Sequence, residues 1–262
     1  MKNKQILEIK LSKNSDINEE DIPSNIDEVI FHITENSSVL LRVKPRKTAL
    51  KYTIFGCFES EFSLFLDDNA NEINREFDIR NALTLNVAVA DFSFLNRKVN
   101  LTFNLLEEGA KINFKKSVLA SKNVDKYFSI NVNHLKEKTY SSIESYGVVV
   151  DASRLTFTGN SKIADNIPKC EAHQKNKIIV FDENAVAKAN PKLLIHNNNV
   201  VASHAAAVGK LNDEILFYLA SRGISEEEAK KLLTKGYLLP VVKLYKQEKE
   251  QEMLLKQLDG VI

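Results

Sequence analysis

Three histidines in the later part of the chain, His173, His196 and His204, follow a cysteine, Cys170. Imidazole and thiolate are ligands for iron and other transition metals, so metal chemistry is the first to test against the spacing. The interval from His173 to His196 is about one turn of a β-solenoid, which would set the two on neighbouring rungs. His204 follows His196 at an even spacing, and the two share a face only if a strand runs unbroken through Asn197, Asn198 and Asn199. That run of asparagines reads as a break. Each histidine also has a plainer reading, a surface or partly buried imidazole bonded to a neighbour, and Cys170, as a lone cysteine, reads as a small buried hydrophobe.

Nucleophilic catalysis has less support. Ser203 and His204 are adjacent, and adjacent residues on a strand point to opposite faces, so no proton passes between them. No G-x-S-x-G elbow accompanies the pair, and the chain also lacks G-x-x-x-x-G-K-[ST], G-x-G-x-x-G and H-E-x-x-H. Only eight glycines occur, too few for a phosphate-cradling loop to be an expected feature. A carbohydrate-active β-helix enzyme has no matched acidic pair to support it.

The bulk numbers narrow the class further. Among 262 residues, 36 basic side chains nearly balance 35 acidic ones, so there is no net field to steer nucleic acid or an anionic membrane. Basic and acidic residues are dispersed alike, which disfavours an RNA platform. Cys57 and Cys170 are far apart with no C-x-x-C spacing, so a disulfide framework is not expected and a reducing cytoplasm fits. The opening MKNKQILEIKLSKN has no apolar core of a signal peptide, and no window approaches a membrane span, so a soluble, unsecreted protein is expected.

The elements that must carry these residues are mostly strands. Leu83, Leu85, Val87 and Val89 alternate with polar neighbours, as do Leu101, Phe103 and Leu105, then Ile112 and Phe114, then Phe128, Ile130 and Val132. These half-buried strands recur roughly every ten to twenty residues between Asn, Asp, Gly, Ser and Lys clusters, with no helical pattern between them, which excludes a doubly wound α/β fold. A sandwich, a barrel and a solenoid stay open. The length of the run and turns built on Asn rather than Asn-Gly favour the solenoid, with Asn197 to Asn199 stacked at a corner.

Residues 1–38, polar and acidic around NEEDIPSNIDE with Pro23 against a continuous helix, read as an N-terminal arm or lead-in. Residues 39–209 form the β body, and 210–262 a small helical domain. In the latter, Asn212 or Asp213 is positioned to cap a helix with Ile215, Leu216 and Leu219 on one face, and Gly223 sits where a left-handed cap is wanted. Ser225 and Glu228 make a capping box for a second helix, which Pro240 bends or ends, and KQEKEQEMLLKQL supplies a last amphipathic piece. Leu216 and Leu219 are expected to seal the open end of the solenoid.

The stretch SHAAAVGKLNDEILFYLASRGISEEEAKKLL resembles the C-terminal signature of the SufB/SufD family of iron–sulfur cluster assembly proteins. The resemblance runs upstream through FTGNSKI and AHQKNKIIVFDENAVAKANPKLLIHNNNVVASHAAAVG, with Gln174 and Asn176 in the family's Q-x-N segment, Pro191 and Leu193 leading the next rung, and His204 in its S-H-G-A position. It covers about 155 to 240. It implies a mainly β fold, a right-handed parallel β-helix followed by a small C-terminal helical domain, with most of the family's N-terminal helical domain lacking here. It is similar to the SufD branch, because SufB proteins carry a cysteine beside the glutamine and an E-H-E triplet, where this chain has Lys175 and Ser203-His204-Ala205. Ala205 departs from the family's glycine and is expected to narrow the space near the imidazole.

What this resemblance implies about function is a noncatalytic scaffold subunit of a cytoplasmic protein complex. A SufC-like ATPase would dock on the helical domain, with Leu216, Phe217, Tyr218, Arg222, Gly223 and Ile224 as candidate partner-binding residues. A SufB-like β-helix subunit, or a second copy of the chain, would pair through the late strands to give a dimer or larger complex. His204 is the candidate ligand for a transient iron or iron–sulfur cluster at that interface, no cofactor would be bound stably, and ATP would enter only through the partner. A second reading is a minimal homodimeric scaffold that assembles a cluster with Cys170 and His173 or His204 from both protomers.

Overall fold

The computed structural model describes residues 4–46, 50–211 and 213–260. Sixteen strands among them form two eight-stranded sheets. One contains β1 (Ile6–Leu11), β3 (Glu28–Ile33), β5 (Leu50–Phe55), β7 (Glu72–Arg80), β9 (Arg97–Leu105), β11 (Asp125–His134), β13 (Arg154–Ile163) and β15 (Val186–Ile195). The other contains β2 (Asn14–Asn18), β4 (Ser37–Val43), β6 (Glu59–Leu66), β8 (Thr84–Asp91), β10 (Lys111–Ala120), β12 (Tyr140–Val149), β14 (Cys170–Val180) and β16 (Val200–Lys210). Consecutive strands alternate between the sheets and every pairing is parallel, so each turn of chain adds one rung to both. The expected parallel β-solenoid is therefore present.

The turn lengthens along the chain. In-register partners are 22 residues apart at the start, Ile6 to Glu28, and 32 apart near the end, Arg154 to Val186. A drifting period is the physical reason that the repeat is hard to count in the sequence. Corners are turned mainly by residues other than glycine: Asn81, Lys122, Asn123, Lys138, Asp151, Asn166 and Lys169 all take positive φ, as does Gly109 before β10, the left-handed region that Asn and Asp tolerate through local hydrogen bonds. At the corner before β16, Asn197 Nδ2 donates to the Ile167 carbonyl one turn below at 2.6 Å. The other asparagines stack on strand faces instead, as Asn113 on Asn86 and Asn133 on Asn104, both at 2.8 Å.

The stretch expected to be an arm is part of the solenoid. β1, β2 and β3 pair with the rungs above them, and Leu7, Ile9 and Ile17 pack against the core. The acidic middle of the stretch hides the reason. Glu19, in a single 3-10 turn (Glu19–Asp21), is buried and takes two hydrogen bonds from Arg75, 2.7 and 2.6 Å, one from the Tyr52 hydroxyl at 2.6 Å and one from the Lys44 amide at 2.8 Å. A carboxylate that reads as solvated in the sequence is the bolt fixing the first turns to later ones.

Three helices follow, α1 (Asp213–Ser221), α2 (Glu226–Val242) and α3 (Glu248–Asp259). The expected cap at Asn212 lies outside the described residues. Gly223 has φ +81°, and the Ser225–Glu228 capping box forms. Pro240 lies inside α2, which closes two residues later. The helices do not seal the end of the solenoid. Leu238, Val241, Val242, Tyr245, Leu254 and Leu258 pack on the outer face of the second sheet against Leu40, Ala88, Ala90, Phe92, Leu119 and Val148, while Leu216 and Leu219 are half-buried on α1, which packs on α2. The fully buried Tyr245 hydroxyl donates to the Leu64 carbonyl at 2.7 Å and accepts from the Ala90 amide at 2.9 Å, bridging β6 and β8.

Breaking a buried ion pair by removing one partner strands the other charge, which costs about 3–5 kcal/mol. Glu19→Ala is expected to lower stability by about that amount in urea denaturation, because it strands Arg75; a loss under about 1 kcal/mol would show that the lead-in is not bolted by this pair.

Candidate functional site

The candidate residues converge on the last rungs, where β14 supplies His173, Gln174 and Asn176 and β16 supplies Ser203 and His204. Along β14 burial alternates strictly: Cys170, Ala172, Gln174, Asn176 and Ile178 face the interior, and Glu171, His173, Lys175 and Lys177 face out. Register puts Ser203 beside His173 and His204 beside Gln174. His173 Nδ1 lies 2.8 Å from Ser203 Oγ, a separation of 30 residues in sequence, and its ring sits 5.9 Å from that of Tyr140. His196, after β15, is exposed and is not the rung neighbour of His173. The expected interval fails because the turn here is longer than the one assumed.

His204 is exposed on β16. Strand alternation sends the Ala205 methyl, aligned with Lys175, to the opposite face from the imidazole, and Ala205 borders the same open cleft as His204. Ser142, Glu144, His173, Lys175, Ser203 and His204 line an open cleft of about 400 Å³ on this end of the sheet. Among the described residues, no three His, Cys, Asp or Glu side chains come together in a way that could hold a metal ion.

Cys170 is buried with its Sγ 3.3 Å from Thr139 Oγ1 and 3.4 Å from the Lys136 carbonyl. It therefore faces inward while His173, three residues on, faces outward. The pair is not gathered into one site within the chain.

Interior polarity near this end is the feature that sequence reading misses. The early core is aromatic: Phe31, Tyr52, Phe77 and Phe103 stack with centroids 5.4, 5.1 and 5.0 Å apart. The late core holds Lys116, Ser145, His134, Gln174 and Asn176, all buried. Lys116 Nζ donates to Ser145 Oγ at 2.6 Å and lies 4.3 Å from the Phe157 ring centre. Burial without a carboxylate pushes its pKa down to about 7. The neighbouring buried cations Arg97 and Lys126 differ, since they share Asp91 at 3.2 and 3.1 Å. His134, between Thr139 Oγ1 and Ser141 Oγ at 2.8 Å each, is pushed down by burial to about 4 and stays neutral at physiological pH. Gln174 Nε2 donates to Ser161 Oγ at 2.8 Å and to the Lys192 carbonyl at 3.1 Å, its amide lying where a Cβ at Gly159 would meet Oε1 at 2.6 Å. Gln174 Oε1 and Asn176 Nδ2 are buried with no hydrogen-bond partner among the described residues. Gln174 and Asn176 carry two sequence signals, the Q-x-N resemblance and their even spacing with Cys170 and Ile178 on β14; Lys116, His134 and Ser145 carry neither.

The partner-binding candidates lie on α1 and the turn after it. Phe217 is 77% and Tyr218 56% exposed, with the Arg222 guanidinium 5.3 Å from the Tyr218 ring centre. The Ile224 amide donates to the Leu219 carbonyl at 3.2 Å, closing the turn through Gly223. Two adjacent exposed aromatics beside an arginine are the side-chain types that dominate protein-binding hot spots.

A late solenoid with an open end, an exposed histidine and an aromatic helix is the class of molecule defined by the geometry. The comparison with known families is direct: residues 67–237 match the model described as SUF system FeS cluster assembly, SufBD core domain, and the chain belongs to that family. It is 35% identical over 161 residues to the iron–sulfur cluster assembly protein SufD of Bacillus subtilis, covering 62% of this chain and 36% of that protein. It is 30% identical over 146 residues to SufB of the same organism, covering 56% and 31%, and 28% identical over 108 residues to SufD of Escherichia coli, covering 41% and 26%. The chain thus spans about a third of the length of the curated relatives it matches. No helix among the described residues is long and apolar enough to cross a membrane.

The buried amine gives a pH test. Unfolded, Lys116 holds its proton up to the ordinary lysine value of 10.5, whereas folded it releases it from about 7. Between those values the unfolded state holds more protons, so stability rises with pH across that window. Lys116→Met is expected to raise stability at pH 7 by on the order of a few kcal/mol and to flatten that rise, read as the difference from wild type in urea titrations at several pH values. An unchanged pH slope would show that the amine is solvated.

Proposed function

We propose that this chain is a SufD-like, noncatalytic subunit of an iron–sulfur cluster assembly complex, pairing with a SufB-like chain and docking a SufC-like ATPase. The single observation that carries the reading is the open end of the solenoid: among the described residues, β15 and β16 each pair on one side only and present edge backbone groups beside His204. An unprotected edge of parallel rungs is a template for another chain. Family membership and the higher identity to SufD than to SufB of one organism support the branch.

In this reading the cargo, iron or a nascent cluster, is met at the joint between two solenoids. His204 offers one imidazole nitrogen, and thiolate or carboxylate ligands come from the partner. ATP is bound and hydrolysed by the docked ATPase, which grips α1 through Phe217, Tyr218 and Arg222 with Leu216, Gly223 and Ile224 shaping the turn. The subunit positions, and the cytoplasm is the compartment where such chemistry is kept reduced. A second copy of the chain fits the same open edge, giving a homodimeric scaffold as the other reading.

Coexpression with a SufC-like ATPase is expected to give a complex that survives purification and is lost in Phe217→Ala, whose exposed ring leaves the fold intact. Unaltered copurification of the variant would remove the docking surface from the proposal. Anaerobic reconstitution with iron and sulfide separates the two readings: the isolated chain is expected to stay colourless, and a visible-absorbing cluster lost in Cys170→Ser would favour the homodimeric scaffold instead.

A further inference from the structure

The last rung is built differently from those it covers. β16 hydrogen-bonds only to β14, and apart from half-buried Val200 and Ala202 its residues are exposed. It carries Ala205, Ala206, Ala207 and Gly209, which bring little side-chain packing. Directly beneath lie groups that are nearly sealed from solvent: Cys170 at 0%, Asn176 at 2% and Gln174 at 3% exposure. Val200 packs over Cys170, and register sets His204 over Gln174 and Ala206 over Asn176. The Gln174 amide reaches to Ser161 on β13 and the Lys192 carbonyl on β15, while Gln174 and Asn176, each with an orphan polar atom, lie one rung beneath His204 and Ala206 of β16. Past Lys210, only Leu211 and Asn212 separate this strand from α1.

We propose that β16 is a lid that opens without global unfolding, baring the Cys170 thiol and the free amide atoms of Gln174 and Asn176 at the end of the solenoid. Regions with few buried apolar contacts open locally at a fraction of the global free energy, and opening here relieves two unsatisfied polar atoms that gain water. The soft thiol, absent from the closed surface, becomes accessible when Val200 lifts off it. That use of the opening, as a gate that admits a thiophilic cargo only when the strand is displaced, rests on the assembly reading above; the opening itself does not.

The test uses the full chain with Cys57→Ser, so that Cys170 is the one thiol, and follows its alkylation by iodoacetamide with peptide mass spectrometry. Labelling is expected to run at least about tenfold faster than global unfolding followed by circular dichroism, with little dependence on low urea. Adding Lys175→Cys with Ala205→Cys places two outward cysteines in register, and their disulfide is expected to slow Cys170 labelling by about tenfold, with recovery on reduction. Should that disulfide not form, Ala205→Pro is the second arm. Odd residues of β16 face β14, as the Leu211 amide bonding the Val180 carbonyl shows, so the proline removes a ladder bond and is expected to speed labelling about tenfold at an unchanged unfolding midpoint. Labelling of Cys170 that tracks global unfolding in urea, or is indifferent to both the staple and the proline, overturns the lid. Either result is independent of whether Phe217→Ala releases an ATPase, so the lid and the docking reading fail separately.

Discussion

Parallel rungs hold this molecule together by a rule that also creates its weak point. In a parallel ladder each strand is satisfied only when another lies on both sides, and adding rungs moves the unsatisfied edge without removing it. Interior rungs therefore gain two ladders and a full share of core, while β16 gains one ladder and almost no core. The far end of the solenoid has the same property at β1 and β2, but there Glu19 ties the first turns to Arg75 and Tyr52. Among the described residues, no buried ion pair ties down the late end, where the side-chain bonds from β16 are surface ones such as Ser203 to His173 and Lys210 to Glu183.

The interior follows a gradient that matches this asymmetry. Aromatic rings form a stack in the early rungs, where the buried Glu19, Arg75 and Tyr52 hydroxyl satisfy one another. Toward the open end the same positions carry an amine, an imidazole, hydroxyls and two amides, some without partners. A protein selected only for stability has no use for such groups in a dry core, since each unpaired polar atom costs on the order of 1–3 kcal/mol. Their concentration near the edge where a partner would bind points to function, the pattern expected where local rules of foldability are broken.

The C-terminal helices resolve a competition between two apolar surfaces. They cover the flank of the second sheet, where Leu40, Ala90, Leu119 and Val148 face outward, and leave the end exposed. The flank offers a broad apolar strip and a backbone pair, Leu64 and Ala90, that Tyr245 bridges; the end offers alanines. One consequence is that α1 lies between a fixed helical pair and a loosely held strand, with its aromatic side facing solvent.

The sequence by itself determined the fold class, because period-two alternation and an absence of helical periodicity leave only β architectures, and its Asn-based turns favour a solenoid. It also determined the helix boundaries near Gly223 and Ser225, where local backbone chemistry decides, and the family motif around His204. Tertiary structure alone decided the rest. The burial of Glu19 depends on Arg75, 56 residues away in sequence; the neighbour of His173 depends on a turn length that drifts along the chain; and whether Gln174, Asn176 and Cys170 face in or out depends on the register of one rung. In each case a residue's role is set by which rung stacks on it, a long-range pairing that local sequence does not record.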